Sequence, residues 1–389
     1  MTYTRASLIA RINAGIKNKQ GMIVDMDAIA NDAVRFVVAD IDLNSCKRKA
    51  NLSPNLFTDV FEYACPTDLN NYKIIALNPQ TDRLASQYSL VPFVEFSVKR
   101  EIRTIAVSDN DNFRKVLINA QISDKTMVIS TLDALTSGGG TWTAVGDATN
   151  LTADSDNYVE NSASIKFDIG SGGLTTAGIQ NTGLNSFDIS TTYLGGNSAV
   201  FCWVYITSTT GLTNYILGIG NDSSNCITKT VTAQSDGTAF RTGWNLLRFD
   251  LSSYTTVGTP TLTACTYASI YMTKAITKIS ETGYRFDHIM AKKGEIHELY
   301  YYSQFGWQSS VGVYKENSTD DSDYVNAGPE EYNLMIKKGV ELAADECDED
   351  STSTKAERKY KEMKKAYEDN NPSEAMIMTT TYKTFEQDA

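Results

Sequence analysis

The chain has 389 residues, of which 41% are hydrophobic, and a formal net charge of −12. That length supports a sizeable core and two or three domains. No apolar run approaches the roughly 18 residues of a membrane span, and an acidic chain repels the phosphate backbone, which argues against sequence-specific DNA binding. The first residues, Met-Thr-Tyr-Thr-Arg-Ala-Ser-Leu, lack the basic-then-apolar order of a secretory signal. Six cysteines (46, 65, 202, 226, 265 and 347) include no C-x-x-C pair, and the two histidines are 288 and 297. This spacing gives no basis for a metal site, haem or iron–sulfur cluster, so no cofactor is expected. Reduced, mostly buried thiols are expected, as in a chain assembled in cytosol.

The charge is unevenly placed. Residues 1–128 carry a net +2, residues 129–293 a net −3 and residues 294–389 a net −11. In chain order, Ile9, Ile12 and Ile16 fall at helical spacing, and a second helix is expected over Asp27 to Val38. Then comes "FEYACPTDLNNYKIIALNPQ", Phe61 to Gln80. Proline cannot donate to a sheet ladder, so this stretch reads as a strand end, a turn, and a strand near a sheet edge. Tyr63, Pro66 and Asp68 are its geometry-setting residues.

Between 129 and 293 the texture changes: 18 of the 25 glycines fall there, and short β-type runs alternate with Gly/Ser/Asn turns. The runs are 164–168, 200–206, 215–217, 227–232, 244–251, 268–272 and 284–290, which suggests an all-β sandwich of the jelly-roll kind. Ala199 to Ile206 is apolar on both alternating faces, as in a central strand covered on each side. Leu247, Phe249 and Leu251 alternate with Arg248 and Asp250, as in a half-exposed strand. Tyr284, Phe286, His288 and Met290 are expected to share one face.

The second flank opens with the aromatic cluster Tyr300-Tyr301-Tyr302, Phe305 and Trp307, read as core or a subunit contact. Pro329-Glu330-Glu331 starts a helix with the face Tyr332, Met335, Ile336, Val340 and Ala343. Ser351 to Thr354 is expected to cap another helix, with Ala356, Tyr360, Met363 and Tyr367 inward and Asn370-Asn371-Pro372 as its stop. The tail Ala375 to Phe385 is β-prone and terminal, so Ile377, Met378, Tyr382 and Phe385 are read as contacts to a partner sheet or neighbouring copy, the alternative being packing on their own domain. The expected fold class is α+β: a discontinuous domain (1–128 and 294–389) with helices at both ends, and an inserted β-sandwich (129–293). The splice sites are placed near Asp124–Ile129 and Lys293–Glu295, because insertion needs loop ends that lie close together.

No hydrolase, zinc-protease or phosphate-loop motif appears, and the chain is read as non-enzymatic. Asp154-Ser155-Asp156-Asn157 and Asp320-Asp321-Ser322-Asp323 lack the calcium-loop pattern and read as solvated turns. Trp203 and Trp244 stand in strand-like runs where a buried tryptophan is the default; the alternative is a platform for stacking a glycan.

On "FTDVFEYACPTDLNNYKIIALNPQ", the N-terminal helices and the ending "YNLMIKKGVELAADE…KAERKYKEMKKAYEDNNPSEAMIMTTTY", the flanks resemble head-to-tail connector (neck adaptor) proteins of tailed bacteriophages. The sandwich is similar in texture to jelly-roll, carbohydrate-binding-like modules. The first resemblance implies a subunit of a homo-oligomeric ring, commonly twelvefold, between portal and tail proteins. It implies a place in the virion neck after assembly in host cytoplasm, passive contact with genomic DNA, and no membrane. The expected function is a ring-forming structural adaptor; the alternative is a glycan-binding fibre, adhesin or decoration protein using the sandwich.

Overall fold

The computed structural model describes residues 3–17, 23, 25–51, 55–79, 88–99, 101, 103–108, 114–120, 122 and 125–377. It is mostly β-sheet, with few helices. The first flank runs through α1 (Arg5–Gly15), α2 (Met26–Asp40), β1 (Lys47–Asn51), β2 (Glu62–Ala64), β3 (Leu69–Pro79), β4 (Ser89–Leu90), α3 (Phe93–Lys99), β5 (Thr104–Ser108) and β6 (Lys115–Asn119). The middle holds β7 (Thr126–Ser130), β8 (Thr143–Gly146), β9 (Ala148–Asp154), β10 (Ser164–Ile169), β11 (Thr176–Asn181), α4 (Ser190–Tyr193) and β12 (Ser198–Ile206). It continues through β13 (Leu212–Asp222), β14 (Asn225–Val231), β15 (Gly243–Asp250), β16 (Thr255–Val257), β17 (Tyr267–Lys274) and β18 (Glu281–Lys293). The second flank holds β19 (His297–Ser303), β20 (Trp307–Gln308), β21 (Tyr314–Lys315), β22 (Tyr324–Val325), α5 (Pro329–Glu346) and α6 (Asp350–Asn370).

Four helices from the two ends of the chain build one core. Thr4 caps α1, and the Asp25 carboxylate accepts the N–H groups of Asp27 and Ala28 at the start of α2. Glu331 reaches back to the Gly328 N–H (2.6 Å) where Pro329 opens α5. Leu8 and Ile12 meet Val34, Val37, Met335 and Val340 in this core, and Ala356, Tyr360 and Tyr367 of α6 join it. A mid-helix glycine ordinarily weakens a helix by about 1 kcal/mol. Gly339 has a packing reason: a Cβ there would overlap Ile12, just as one on Gly15 would overlap Val340, so the two glycines let α1 and α5 cross closely. The start of α6 differs from expectation. The helix begins at Asp350, so Ser351 to Thr354 lie inside its first turn rather than capping it; the acidic run before them already supplies the favourable charge for a helix N-terminus.

The flanks contain more sheet than their helical texture suggested: β2, β4, β20, β21 and β22 are too short to show a period of two, and β5 is buried throughout, so it shows no alternation. One antiparallel sheet has the order β1-β19-β3, so β19, which follows the sandwich, pairs between two strands that precede it. A second has the order β2-β6-β5-β4. "FEYACPTDLNNYKIIALNPQ" spans both: β2, a turn whose Pro66 carbonyl accepts the Leu69 N–H (3.1 Å), and β3 at a sheet edge. Of the aromatic cluster, Tyr301, Tyr302 and Trp307 are buried.

The middle of the chain folds into two facing six-stranded antiparallel sheets. One has the order β15-β12-β18-β10-β9, with β7 also on β18; the other has the order β16-β14-β13-β17-β11-β8. All seven β-runs read from the sequence are strands of this sandwich. Val200, Cys202, Val204 and Ile206 of β12 face Leu217, Ile219, Ile270 and Met272 across the core. The incoming strand β7 and the outgoing strand β18 lie side by side, Thr126 opposite Lys292 and Val128 opposite Met290.

Two expectations for these strands need correction. His288 does not share a face with Tyr284 and Phe286. The β12–β18 register shifts between Phe201 and Trp203, and His288 sits at the irregularity with φ 51°. One extra residue switches the inward set from Tyr284 and Phe286 to Ile289 and Ala291. Arg248 is not half-exposed but 7% exposed. Its guanidinium lies 4.9 Å from the Phe57 ring centroid and pairs with Asp250, because the flank covers that end of the sheet.

Candidate functional site

The outer face of β12, β15 and β18 is divided along its length. At one end Ala199, Phe201 and Met290 enter the core formed by Leu56, Phe57, Tyr63 and Leu69 of the flank, with Phe57 edge-on to Phe201 at 5.0 Å. Two residues further along β12 that cover ends, and Trp203, Tyr205 and Trp244 are only half-buried. Tyr205 pairs with Trp244 and Trp203 with Leu246, so the two tryptophans are diagonal neighbours on one face of adjacent strands. The Trp244 ring packs edge-on against Tyr205 (5.4 Å), and its Nε1 donates to Asn157 Oδ1 at 2.9 Å.

Both tryptophans line a single cleft of about 480 Å³ at the seam between sandwich and flank. Phe93, Phe96 and Glu62 form the flank wall; Glu160, Gln234 and Arg241 come from sandwich loops. A smaller hollow of about 260 Å³ adjoins it, reaching Phe201, His288, Met290 and Lys292. Asp59, Val60, Glu160, Trp203 and Leu246 line both. The mix of aromatic floor and few polar groups suits a small-molecule or sugar-chain ligand.

A strap, residues 157–163, holds Glu160 at the cleft. Asp287, fully buried, accepts the N–H groups of Val159 (2.7 Å) and Glu160 (3.0 Å) on Oδ2. Asn161 Nδ2 donates to His288 Nδ1 at 2.8 Å, and Asp133 accepts from the Ser162 and Ala163 N–H groups. Burial pushes the Asp287 carboxyl up to about 6, the two backbone donors offset part of that, and the nearby Asp133 and Glu160 charges add to it. Burial lowers the His288 imidazole below its ordinary value, which favours the neutral acceptor. On the opposite rim Lys115 bridges Glu62 (2.9 Å) and Asp236 (2.6 Å). Burial raises the Asp236 carboxyl, but hydrogen bonds from Lys115 and Thr238 outweigh it and hold the group below the usual range.

No family model matches this sequence. No curated protein matches it either. Among solved structures, the chain is similar to an exo-β-agarase at 11% identity, covering 42% of this chain and 25% of that one, with a TM-score of 0.30. It is similar to a family 30 carbohydrate-binding module at 10% identity, covering 45% and 98% respectively, with a TM-score of 0.29. The xylan-binding domain CBM22-1 from Paenibacillus barcinonensis Xyn10C matches at 10% identity over 44% and 98%, with a TM-score of 0.27. The chain thus spans a quarter of the agarase. Likeness at this level carries no argument, and the chemistry of the cleft has to be read from its own residues.

The other residues singled out in the sequence lie elsewhere. The Tyr63 hydroxyl donates to the Val60 carbonyl (2.8 Å) and accepts from the Phe57 N–H (2.9 Å), fixing the turn that carries Asp59 to the cleft. Asp68 accepts from the Tyr301 and Ser303 hydroxyls, each at 2.7 Å, and so joins the Pro66 turn to β19. The tail leaves α6 along β3: the Met376 N–H donates to the Ile74 carbonyl (2.6 Å), and Ile377 is 84% exposed. Met378, Tyr382 and Phe385 lie outside the described residues. The two acid-rich loops engage basic side chains, Asp154 with Arg285 and Asp323 with Lys315. His297 is buried, with Nε2 3.4 Å from the Tyr88 hydroxyl. Sequence reading missed Asp59, Glu160 and Asp287, because nothing local marks residues that converge from three segments.

Proposed function

We propose that this chain binds a glycan on the outer face of its sandwich, in the cleft closed by the flank. The observation that carries this is the placement of Trp203 and Trp244 on adjacent strands, half-buried, in one cleft edged with amide and carboxylate groups. A sugar's C–H face stacks on an indole while its hydroxyls donate to the Glu160 carboxylate and to Gln234 Oε1, whose Nε2 is already held by Thr238 and the Ala239 carbonyl; the aromatic body supplies affinity and the polar rim orientation. Binding without chemistry is the role this supports. Trp203→Ala in the full chain is expected to weaken binding of the best glycan from an array by roughly tenfold or more, about 1.4 kcal/mol or above. Calorimetry checks this; unchanged affinity in both Trp203→Ala and Trp244→Ala would sink the platform.

A second reading, a ring-forming head-to-tail adaptor of a phage virion, is favoured by the tail. Its start is held by Met376 on the edge of β3, which pairs with no strand other than β19 among the described residues, and Ile377 projects into solvent beside that edge. Such an edge is suited to strand addition by a neighbouring copy or a portal protein, with Tyr63, Pro66 and Asp68 setting the angle between the flank's sheets. The two readings are compatible, the flanks assembling and the sandwich recognising. Particle imaging of the full chain is expected to give closed rings, and removal of residues 377–389 to return subunits that do not close. Monomers of the intact chain across the micromolar range would end this reading.

A further inference from the structure

The charges around the cleft are unbalanced in a way that selects among glycans. Asp59, Glu62, Glu160 and Asp236 line it, against Arg241 alone. Lys115 reaches in, but its ammonium is shared between Glu62 and Asp236. In the adjoining hollow the Lys292 ammonium keeps its charge but is held at the Thr58 carbonyl (2.9 Å), and burial favours neutral His288. Asp59 and Glu160 are left: each lines both compartments, and neither takes part in an ion pair among the described residues. The strap fixes Glu160 through its own backbone N–H on Asp287, so its carboxylate stays at the junction of the two compartments without being used to hold the fold. Any sugar stacked on Trp203 lies beside these two carboxylates.

We infer that the preferred ligand is an amino glycan with free amines, a polymer of N-deacetylated hexosamine units, in preference to neutral or uronic chains. This rests on the glycan-binding reading of the same cleft. An ammonium on the stacked ring pairs with Glu160 and Asp59 in a half-enclosed site. A carboxylated sugar is repelled there, and an N-acetylated one forfeits the charge. Half-exposed pairs contribute about 0.5–1 kcal/mol each, so two give roughly a tenfold preference.

The test is calorimetry on the full chain with four probes of matched length: a β-1,4-linked glucosamine oligomer, its N-acetylated counterpart, a cello-oligosaccharide and an oligogalacturonate. The glucosamine oligomer is expected to bind roughly tenfold tighter than the other three, with the margin shrinking as salt rises. In the double variant Glu160→Gln, Asp59→Asn the ratio should fall towards one. Asparagine tolerates the left-handed backbone that Asp59 adopts (φ 58°), so the variant keeps the turn. Equal binding of neutral chains, or preference for the uronate, overturns this inference and leaves glycan binding standing. An amino preference that persists in the double variant overturns it too, since bulk acidity then explains it. No binding of any probe removes the glycan reading and this one together.

Discussion

Replacing Lys274 with methionine is expected to destabilise the sandwich by about 3–5 kcal/mol, the cost of stranding a buried charge. Lys274 Nζ lies 2.8 Å from Asp147 Oδ2, and the two side chains are 0% and 2% exposed. The same ammonium donates to the Leu174 carbonyl at 2.6 Å, while the Leu174 N–H donates to Asp147 Oδ2 at 2.7 Å. Three segments thus close on one ion pair: the residue before β9, the loop after β10 and the end of β17. Without the ammonium, the Asp147 carboxylate stays out of water with one backbone donor. Chemical denaturation at neutral pH reads the loss. Replacing both partners with apolar residues should recover most of it, because a buried pair contributes little net stability over a well-packed apolar substitute. A loss below about 1 kcal/mol for the single variant would place the pair with ordinary surface bridges instead.

That ion pair also shows where sequence reading stops. Lys274 and Lys278 flank a short Ala-Ile-Thr stretch and look like loop charges. Both are buried: Lys278 donates to the Ser208 and Thr210 carbonyls, at 2.9 Å each, and pairs with Glu281 at 2.7 Å. The continuous apolar run Val200 to Ile206 and the alternating run Leu247 to Leu251 were legible as strands, since the side chains of a strand alternate and at least one set must be dry. Of the strands that escaped notice, β9 and β16 are mostly exposed and carry no such contrast, whereas β11 and β19 are mostly buried and show no polar alternation. The covering of both faces of β12 was legible only for its first part, where Ala199 and Phe201 leave no polar face; from Trp203 and Tyr205 onward the outer face is half-buried. What covers the second face was not legible, since Leu56, Phe57 and Tyr63 lie more than a hundred residues earlier in the chain. The cleft follows the same logic. Trp203 and Trp244 could be suspected one by one, whereas Asp59 and Glu160 become partners only through the contact of flank and sandwich.

The His288 irregularity has a measurable consequence through its neighbour. In the wild-type chain Asp287 is buried beneath the 157–163 strap, and its carboxyl is pushed from 3.8 up to about 6, chiefly by burial. Asp133 and Glu160 face it as acids, and His288 and Lys292 are the bases nearby in β18. A carboxyl that ionises less readily when folded binds its proton more tightly in the native state than in the unfolded chain. Its contribution to stability is therefore fully present below the unfolded value and declines as pH rises through the interval up to the folded value; above that it is constant. At 1.36 kcal/mol per unit, the decline is about 3 kcal/mol. Asp154, Asp168 and Asp236, whose carboxyls are held below their ordinary values, work in the opposite sense and lose stability as pH falls, so the whole-chain profile mixes both. Asp287→Asn separates them. The amide oxygen can still accept from Val159 and Glu160 but does not titrate. The variant should match the wild type near pH 4 and exceed it by about 3 kcal/mol near pH 7, as measured by denaturation at a series of pH values. A gap that stays constant across that series would mean the carboxyl titrates as an ordinary one, and a gap of opposite sign would mean the two backbone hydrogen bonds to the charged form outweigh its burial. Glycan affinity followed in parallel links this to function, because the same two N–H groups fix the strap that carries Glu160.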